Sequence, residues 1–131
     1  MPEAAPDIRV KRIYDPPDAK DGARVLVDRL WPRGMSKERA RLKLWLKEIA
    51  PSSDLRRWFG HDPARFAEFA RRYRVELGAN TDALSRMDNL LKAGRATLLY
   101  AAHDEQHNEA RVLADYLEAR AMGHKEARYG D

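Results

Sequence analysis

The sequence contains no cysteine. This absence excludes disulfides, thiolate catalysis and cysteine-ligated zinc or iron–sulfur sites. No apolar run approaches the roughly 20 residues that a membrane-spanning helix needs. A glycine-rich phosphate-binding fingerprint is also missing, so neither a P-loop nor a dinucleotide-binding turn is indicated.

The charges that are present are of both signs. The 131 residues include 25 basic and 21 acidic side chains, which gives a formal net charge of +4. Because a dedicated nucleic-acid binder usually has a denser basic stripe, this balance permits anionic partners without requiring them. The length is typical of one domain with an ordinary core. Residues 1–7 lack the features of a secretory signal, and we expect a disordered lead-in and a cytoplasmic protein.

Four stretches have the pattern of strands. Residues 8–14 alternate like a half-exposed strand, whereas residues 23–30 contain the continuous apolar run of a strand covered on both faces. Residues 96–102 are the most apolar run and predict the central strand. Residues 42–47 alternate apolar and polar side chains, which favours a short strand, although the same stretch also fits one helical turn.

Helix signals separate these strands. Ser36 is a suitable N-cap, Gly60 a suitable stop, and Asp62 followed by Pro63 a start signal. Together with the apolar spacing, they predict about five helices, at residues 37–41, 53–59, 63–77, 80–93 and 105–121. Residues 122–131 are expected to form a flexible tail. The whole predicts one small three-layer α/β domain at residues 8–121, with a three- to four-stranded, largely parallel sheet.

Three polar segments stand where loops should leave the core elements: residues 28–34, 59–63 and 103–108. The first and third directly follow predicted strands. Since ligand sites of open α/β sheets lie outside the carboxyl ends of the strands, we expect these segments to meet at that edge.

The first segment contains a carboxylate, two arginines and an aromatic side chain. Asp28 is costly to bury without a partner, so an Asp–Arg pair that holds the strand end is one interpretation. The other is that Arg29 and Arg33 bind an anionic group. Pro32 favours an extended Trp31, which is either a core aromatic or a lid over the pocket.

The other two segments contain the histidines. His61 next to Asp62 could act as a general base, although Asp62 also suits the N-cap of the helix at Pro63. His107 and Asn108 are expected in the first turn of the last helix, where an anion could dock with the help of Arg111.

Two alternatives stay open. His103, His107 and Asp104 have a spacing that could hold zinc, but Asp104 is better explained as the N-cap of the last helix. The arginine-rich stretch at residues 56–74 contains aromatic residues, a combination found on single-strand-binding surfaces. Its phenylalanines, however, belong to the apolar stripe of a helix, and Glu68 pairs with Arg72 at helical spacing.

Four motifs stand in order along the chain: VLVDRLWPRG at residues 25–34, WLKEIAPS at 45–52, LRRWFGHDP at 55–63 and TLLYAA at 97–102, the last followed by Asp104, His107 and Asn108. On these motifs the sequence resembles the YeaO-like family of bacterial proteins, a domain class of unknown function. The resemblance implies a compact cytoplasmic α/β domain. The MarR-like label sometimes attached to such proteins has no support here, because no winged-helix pattern is present. The cysteine of more distant relatives and the lysine common at position 103 are both absent.

These observations predict a site for a small anionic ligand at the carboxyl edge of the sheet. Proton transfer, if any, is assigned to His61, His107 and Asp28, and ligand binding to Arg29, Trp31, Arg33, Asn108 and Arg111. No cofactor or metal is expected. A nucleic-acid-binding or regulatory module and a metal-binding protein are the alternatives.

Overall fold

A computed structural model describes the backbone of residues 5–130 and the side chains of residues 5–122. It contains four strands: β1 (Ile8–Arg12), β2 (Ala23–Leu26), β3 (Leu44–Trp45) and β4 (Ala96–Tyr100). Five α-helices accompany them: α1 (Lys37–Ala40), α2 (Ser53–Phe59), α3 (Phe66–Gly78), α4 (Thr81–Lys92) and α5 (Glu109–Gly130). Short 3-10 turns lie at Ala19–Asp21, Lys47–Ile49 and Pro63–Arg65. No helix in these residues is long and apolar enough to cross a membrane.

The four strands form one fully parallel sheet in the order β1-β4-β2-β3. Ile8 pairs with Ala96 on one side of β4, and Ala23 pairs with Ala96 on the other. The strand predicted to be central is therefore central, and all five of its residues are buried. This confirms the predicted α/β class, because parallel strands of this kind need helical cover.

The two faces of the sheet are covered unequally. Side chains of α2, α3, α4 and α5 pack on one face and form the larger apolar core with Val25, Val27 and Leu98. The other face is covered by the one-turn helix α1 and the segment before it, which form a smaller cluster around Leu26 and Leu99. These are the three layers of the domain.

A buried ion group closes the smaller face at the amino end of the strands. Arg24 is 5% exposed, and its guanidinium bonds the Asp21 carboxylate at 2.6 Å and the Ala40 carbonyl at 2.9 Å. Lys11 Nζ lies 3.2 Å from the same carboxylate. Burial alone would raise the pKa of Asp21, but hydrogen bonds from the Asp18 N–H, Arg24 and Lys11 outweigh it and lower that pKa.

Most local start and stop signals are confirmed. Ser36 caps α1 by accepting from the Arg39 N–H, and Gly60 ends α2 in the left-handed conformation with φ 53°. Asp62 accepts from the Ala64 N–H and begins the 3-10 turn at Pro63 that leads into α3. Each of these signals acts within a few residues, which is why the sequence alone reveals it.

Two predicted elements differ from the structure. The alternating stretch at residues 42–47 contains a strand of only two residues, after which Leu46 bonds back to Leu26 and a 3-10 turn follows. Helix α5 begins at Glu109 rather than Glu105, and it continues to Gly130 instead of ending near residue 121, through most of the stretch predicted as a tail. The predicted lead-in at residues 1–7 lies partly outside the described residues, and the flexibility expected of both ends stays a prediction.

Replacing Asp21 by Asn leaves the buried Arg24 guanidinium without its nearest counter-charge. We expect the free energy of unfolding to fall by about 3 kcal/mol, as when one partner of a buried ion pair is removed. Asp54→Asn is the control, because the Asp54–Arg57 pair is largely exposed and should contribute under about 0.5 kcal/mol. Urea denaturation followed by tryptophan fluorescence measures both. Equal losses in the two variants would show that the Asp21–Arg24 pair is not buried as described.

Candidate functional site

The chain paths diverge at the carboxyl ends of the two central strands. The chain leaving β2 runs to β3 at one edge of the sheet, whereas the chain leaving β4 enters α5, which packs on β1 and β4. A crevice between neighbouring strands whose connections part in this way is where open α/β sheets bind ligands. Asp28 follows β2 at this point, and residues 101–108 follow β4.

The three polar segments do meet here, through two sets of contacts. The Ala101 N–H donates to Asp28 Oδ2 at 2.9 Å, which joins the first segment to the third. Phe59 and Phe66 lie 5.9 Å apart, centroid to centroid; the His61 ring is 6.2 Å from Phe59 and the His107 ring 5.1 Å from Phe66. The second and third segments are therefore joined by an aromatic cluster, with one histidine on each side.

Asp28 connects three parts of the fold. Besides the bond from Ala101, its own carbonyl accepts from Trp45 Nε1 at 2.7 Å, which fixes the end of β2 to β3. Its carboxyl group also lies close enough to the side chain of Glu109, the first residue of α5, to raise the pKa of that group. The Asp–Arg pair considered for this strand end is not found among the described contacts; the partner is a second carboxyl group.

Glu109 is the residue that the sequence analysis missed. Its Oε1 is buried and receives no hydrogen bond from any described group. Burial, followed by the hydrogen bond and negative charge of Asp28, raises the pKa of Glu109 well above its ordinary value. A proton on Glu109 accounts for both facts, because it turns an unpaired acceptor into a donor to the Asp28 carboxylate.

One sequence signal could have revealed Glu109. The start of α5 looks like an ordinary polar helix start, with Asn108, Glu109 and Arg111. An acidic residue at such a position usually only complements the helix dipole. Glu109, Leu113 and Leu117, however, are spaced at four residues and so share one face of α5, and both leucines are buried in the core. A carboxyl group on the apolar face of a helix predicts a buried partner.

The surroundings of the carboxyl pair are acidic. The buried Tyr73 hydroxyl donates to the Ile49 carbonyl at 2.6 Å. Burial, then the charges of Glu109, Glu76 and Asp28, raise the pKa of Tyr73. The cation that opposes them is Arg29, but its Nε and Nη2 donate, at 3.1 Å each, to the Pro51 and Ala50 carbonyls. Arg29 was predicted to bind ligand; in the structure it holds the segment before α2.

The remaining residues of the first segment serve the loop itself. Trp31 Nε1 donates to the Met35 carbonyl at 2.7 Å, and its ring meets Trp45 edge-on at 5.3 Å. Trp31 thus packs on the smaller core cluster and is not placed as a lid. The Arg33 carbonyl accepts from the Tyr14 hydroxyl at 2.8 Å, and the Arg33 side chain is exposed.

The loop after β4 is organised by Asp104. Its Oδ1 accepts from the Gln106 and His107 N–H groups at 2.9 and 3.0 Å, and its Oδ2 bonds His107 Nδ1 at 2.8 Å. The Gln106 N–H, followed by the His107 side chain, lowers the pKa of Asp104 despite some burial. This geometry engages Nδ1 of His107 and leaves Nε2 as the ring nitrogen able to meet a ligand.

Asn108, rather than Asp104, is the N-cap of α5. Its Oδ1 accepts from the Arg111 N–H at 3.1 Å, and its Nδ2 donates to the Asp104 carbonyl at 3.0 Å. The prediction that Asp104 caps the helix, and that His107 and Asn108 lie in its first turn, was wrong. Both residue types can cap, and only the loop bonded to Asp104 decides between them. Asn108 is 1% exposed, so it orders the loop and does not face a ligand.

The other histidines lie at the surface. His61 has a left-handed backbone with φ 56° and is exposed, and Asp62 beside it is engaged as the N-cap of the next turn. His103 is exposed and precedes α5, so it does not share a helix face with His107. Among residues 5–122, no group of three or more histidine, aspartate or glutamate side chains is placed to hold a metal ion.

Two arginines from different elements converge on the loop after β4. Arg12, at the end of β1, donates from Nε to the Ala102 carbonyl at 3.0 Å. Arg111, in the first turn of α5, donates from Nε to the Glu105 carbonyl at 3.0 Å. Both charges act on Tyr100, whose pKa is raised first by burial and then by Glu105. Arg12 was not predicted, because only tertiary structure brings the end of β1 to this loop.

A groove with different lining residues lies outside this crevice. It has a volume of about 800 Å³ and runs between β1, the turn at Ala19–Asp21 and one flank of α5. Arg111 alone among the predicted site residues lines it, and the basic and acidic side chains around it nearly balance. It therefore does not coincide with the predicted site.

Replacing Asn108 by Ala should remove the cap of α5 and one bond to the loop. We expect the free energy of unfolding to fall by about 1–3 kcal/mol. Asn108→Asp keeps the acceptor but not the donor, and should recover only part of the loss. Ser36→Ala, at the exposed cap of one-turn α1, is the control and should cost less. Thermal denaturation of the three variants ranks their losses of stability. An Asn108→Ala protein as stable as the parent would show that Asn108 does not cap α5.

Comparisons with known proteins identify the family to which this chain belongs. The DUF488-N3i family, described as the inactive DUF488-N3 subclade, matches residues 7–129. The uncharacterized protein YeaO of Escherichia coli (strain K12) is 43% identical over 111 residues, 85% of this chain and 96% of YeaO. The uncharacterized protein Rv3073c of Mycobacterium tuberculosis (strain ATCC 25618 / H37Rv) is 42% identical over 113 residues, 86% of this chain and 95% of its own. No solved structure matches. The chain therefore belongs to the DUF488-N3i family of YeaO-like proteins of unknown function.

Proposed function

We propose that this protein binds a small anionic ligand at the carboxyl edge of its sheet, beside the N-terminus of α5, without catalysing a reaction on it. The observation that carries the proposal is the convergence of Arg12 and Arg111 on the loop of residues 101–108. Arg12 holds the Ala102 and Ala101 carbonyls through Nε and Nη2, at 3.0 and 3.5 Å, whereas Arg111 uses only Nε and keeps both terminal nitrogens free of described partners. One free pair of guanidinium donors beside a second positive charge suits a carboxylate, sulfate or phosphate group.

The position of α5 adds to this attraction. The first N–H groups of a long helix carry a partial positive charge. Here the Asn108 side chain takes the Arg111 N–H, and the Glu109 carboxyl group takes the backbone N–H of its own residue. His107 Nε2 lies in the same loop and adds a third donor when the ring is protonated. Of the residues first suggested for ligand binding, Arg111 stays in the proposal, and Arg33 is an exposed outer contact. The other three, Arg29, Trp31 and Asn108, support the loops.

Three observations favour binding over catalysis. Asp28, suggested as a catalytic group, bonds the Ala101 N–H and lies beside Glu109, so it is a positioning residue in this proposal. His61 has no carboxylate to orient it, since Asp62 is occupied as a cap. The matching family is described as an inactive subclade, and we carry that description over to this chain as part of the proposal. We also retain the cytoplasmic location, which the absence of cysteine fits.

The nucleic-acid alternative is weaker on the contacts that the helices show. Glu68 binds both Arg71 and Arg72, and Asp54 binds Arg57, so much of the arginine-rich surface is neutralised locally. The Trp58 ring is covered by the guanidinium groups of Arg65 and Arg72, at 5.3 and 4.2 Å from its centroid. A ring already stacked in this way is not free to stack on a base.

Titration with sulfate tests the proposal. We expect the backbone amide resonances of residues 105–111 to shift on addition of sulfate, with a saturable affinity measurable by NMR. Arg111→Gln should weaken that affinity about tenfold, because a charge-assisted bond contributes about 1.5–3 kcal/mol. Arg74→Gln, on the exposed surface of α3, is the matched control and should change nothing. Shifts spread over the α2–α3 surface, or an Arg111→Gln protein that binds like the parent, would contradict the proposal.

A further inference from the structure

We propose that Asp28 and Glu109 share one proton, and that this proton controls the affinity of the neighbouring anion site. The second half of this statement rests on the proposed function; the first half does not. With the proton in place, the pair joins the start of α5 to the ends of β2 and β4. Without it, two adjacent carboxylates stand where the anion is to be bound.

The contacts around the two carboxyl groups are unequal. Asp28 Oδ2 accepts from the Ala101 N–H at 2.9 Å, so one oxygen of this carboxyl group already has a donor. Glu109 Oε1 is buried with no donor among the described groups. An acceptor left in that state is costly, and the cost disappears if Glu109 is the protonated member that donates to Asp28. The raised pKa of Glu109 agrees with this assignment.

No facing group replaces the proton. From α3, the Tyr73 hydroxyl feels the charges of both carboxyl groups, but it is neutral and donates to the Ile49 carbonyl. Glu76, which acts on the same hydroxyl, is a further acid and accepts from Ser52. The segment after β2 supplies a positive charge, Arg29, but this guanidinium already donates to the Ala50 and Pro51 carbonyls. From the loop before α5, Asp104 is acidic and is bonded to His107. Ionised Glu109 would therefore add an uncompensated negative charge to a buried place.

The negative charge of an ionised Glu109 would also weaken anion binding, because Glu109 lies beside the proposed anion site. Glu109 is the first residue of α5, between the Asn108 cap and Arg111. At an effective dielectric constant of about 20, two unit charges about 12 Å apart repel enough to change an affinity about tenfold. An ionised Glu109 beside the anion should therefore weaken binding by about that factor. Because coupling between two sites is reciprocal, a bound anion should in turn strengthen the hold of the pair on its proton.

Stability as a function of pH tests the shared proton. The unfolded chain loses the Glu109 proton near pH 4.5, whereas the folded chain loses it only at the raised pKa of this carboxyl group. Between the unfolded and the folded pKa, the folded parent therefore binds more protons than the unfolded chain. Its stability must therefore fall as pH rises through this window, by a factor of about ten in the folding constant for each pKa unit. Glu109→Gln keeps a donor to Asp28 and carries no proton to lose.

We expect Glu109→Gln to be more stable than the parent at pH 7 and the difference to vanish near pH 4. Glu118→Gln, an exposed position on the same helix, is the control and should follow the parent curve. Parallel curves for the parent and Glu109→Gln across the whole range would overturn the shared proton. Urea denaturation at a series of pH values gives the result without any ligand.

Sulfate affinity as a function of pH tests the coupling, and sulfate itself does not titrate in this range. Both proteins are compared in a His107→Asn background, because His107 would add its own pH dependence. We expect the Glu109-containing protein to lose about tenfold in affinity as pH rises, and the Glu109→Gln protein to lose none. Identical profiles would overturn the coupling while leaving the anion site in place. No sulfate binding at any pH in either protein would instead overturn the proposed function, and the coupling with it, whereas the denaturation curves would still decide the shared proton.

Discussion

One carboxyl group connects the parts of this fold that the sequence keeps far apart. Asp28 receives the Ala101 N–H from the end of β4, lies beside Glu109 at the start of α5, and through its own carbonyl holds Trp45 of β3. These contacts lie where the chain paths of the two central strands diverge. A strand end that left Asp28 unpaired would bury a charge at considerable cost. The arrangement of the loops around the crevice therefore depends on how this one group is satisfied.

The crevice has two sides of opposite character. Asp28 and Glu109 make the inner side acidic, whereas Arg12 and Arg111 make the outer rim basic. The basic rim is the side that α5 reinforces with its N-terminus. The protonated Glu109 that we propose would keep the two sides compatible, because it removes one negative charge from the start of α5, two residues before Arg111. On this view, the acidic interior orders the loops and the basic rim meets the ligand.

Much of the fold could be predicted from the sequence, because its signals are local. The apolar run at Val25–Val27 and the one at residues 96–102 identify β2 and β4, and Ser36, Gly60 and Asp62–Pro63 mark helix ends by contacts within a few residues. The site was harder. The meeting of the three polar segments follows from strand topology, but Arg12 reaches the loop only through the parallel pairing of β1 with β4. Whether Asp104 or Asn108 caps α5, and whether Glu109 is buried, depends on packing that no local pattern encodes. The roles assigned to the site residues remain predictions.

The most direct test of this account is the ionisation state of Glu109 in the folded protein. Carbon-13 NMR of the side-chain carboxyl carbons of selectively labelled protein, with Glu109→Gln used to assign the resonance, reports it residue by residue. The account predicts that the Glu109 carbon keeps the shift of a protonated acid well above pH 4.5, after the exposed glutamates have ionised. A Glu109 resonance that titrates together with those of the exposed glutamates would contradict it.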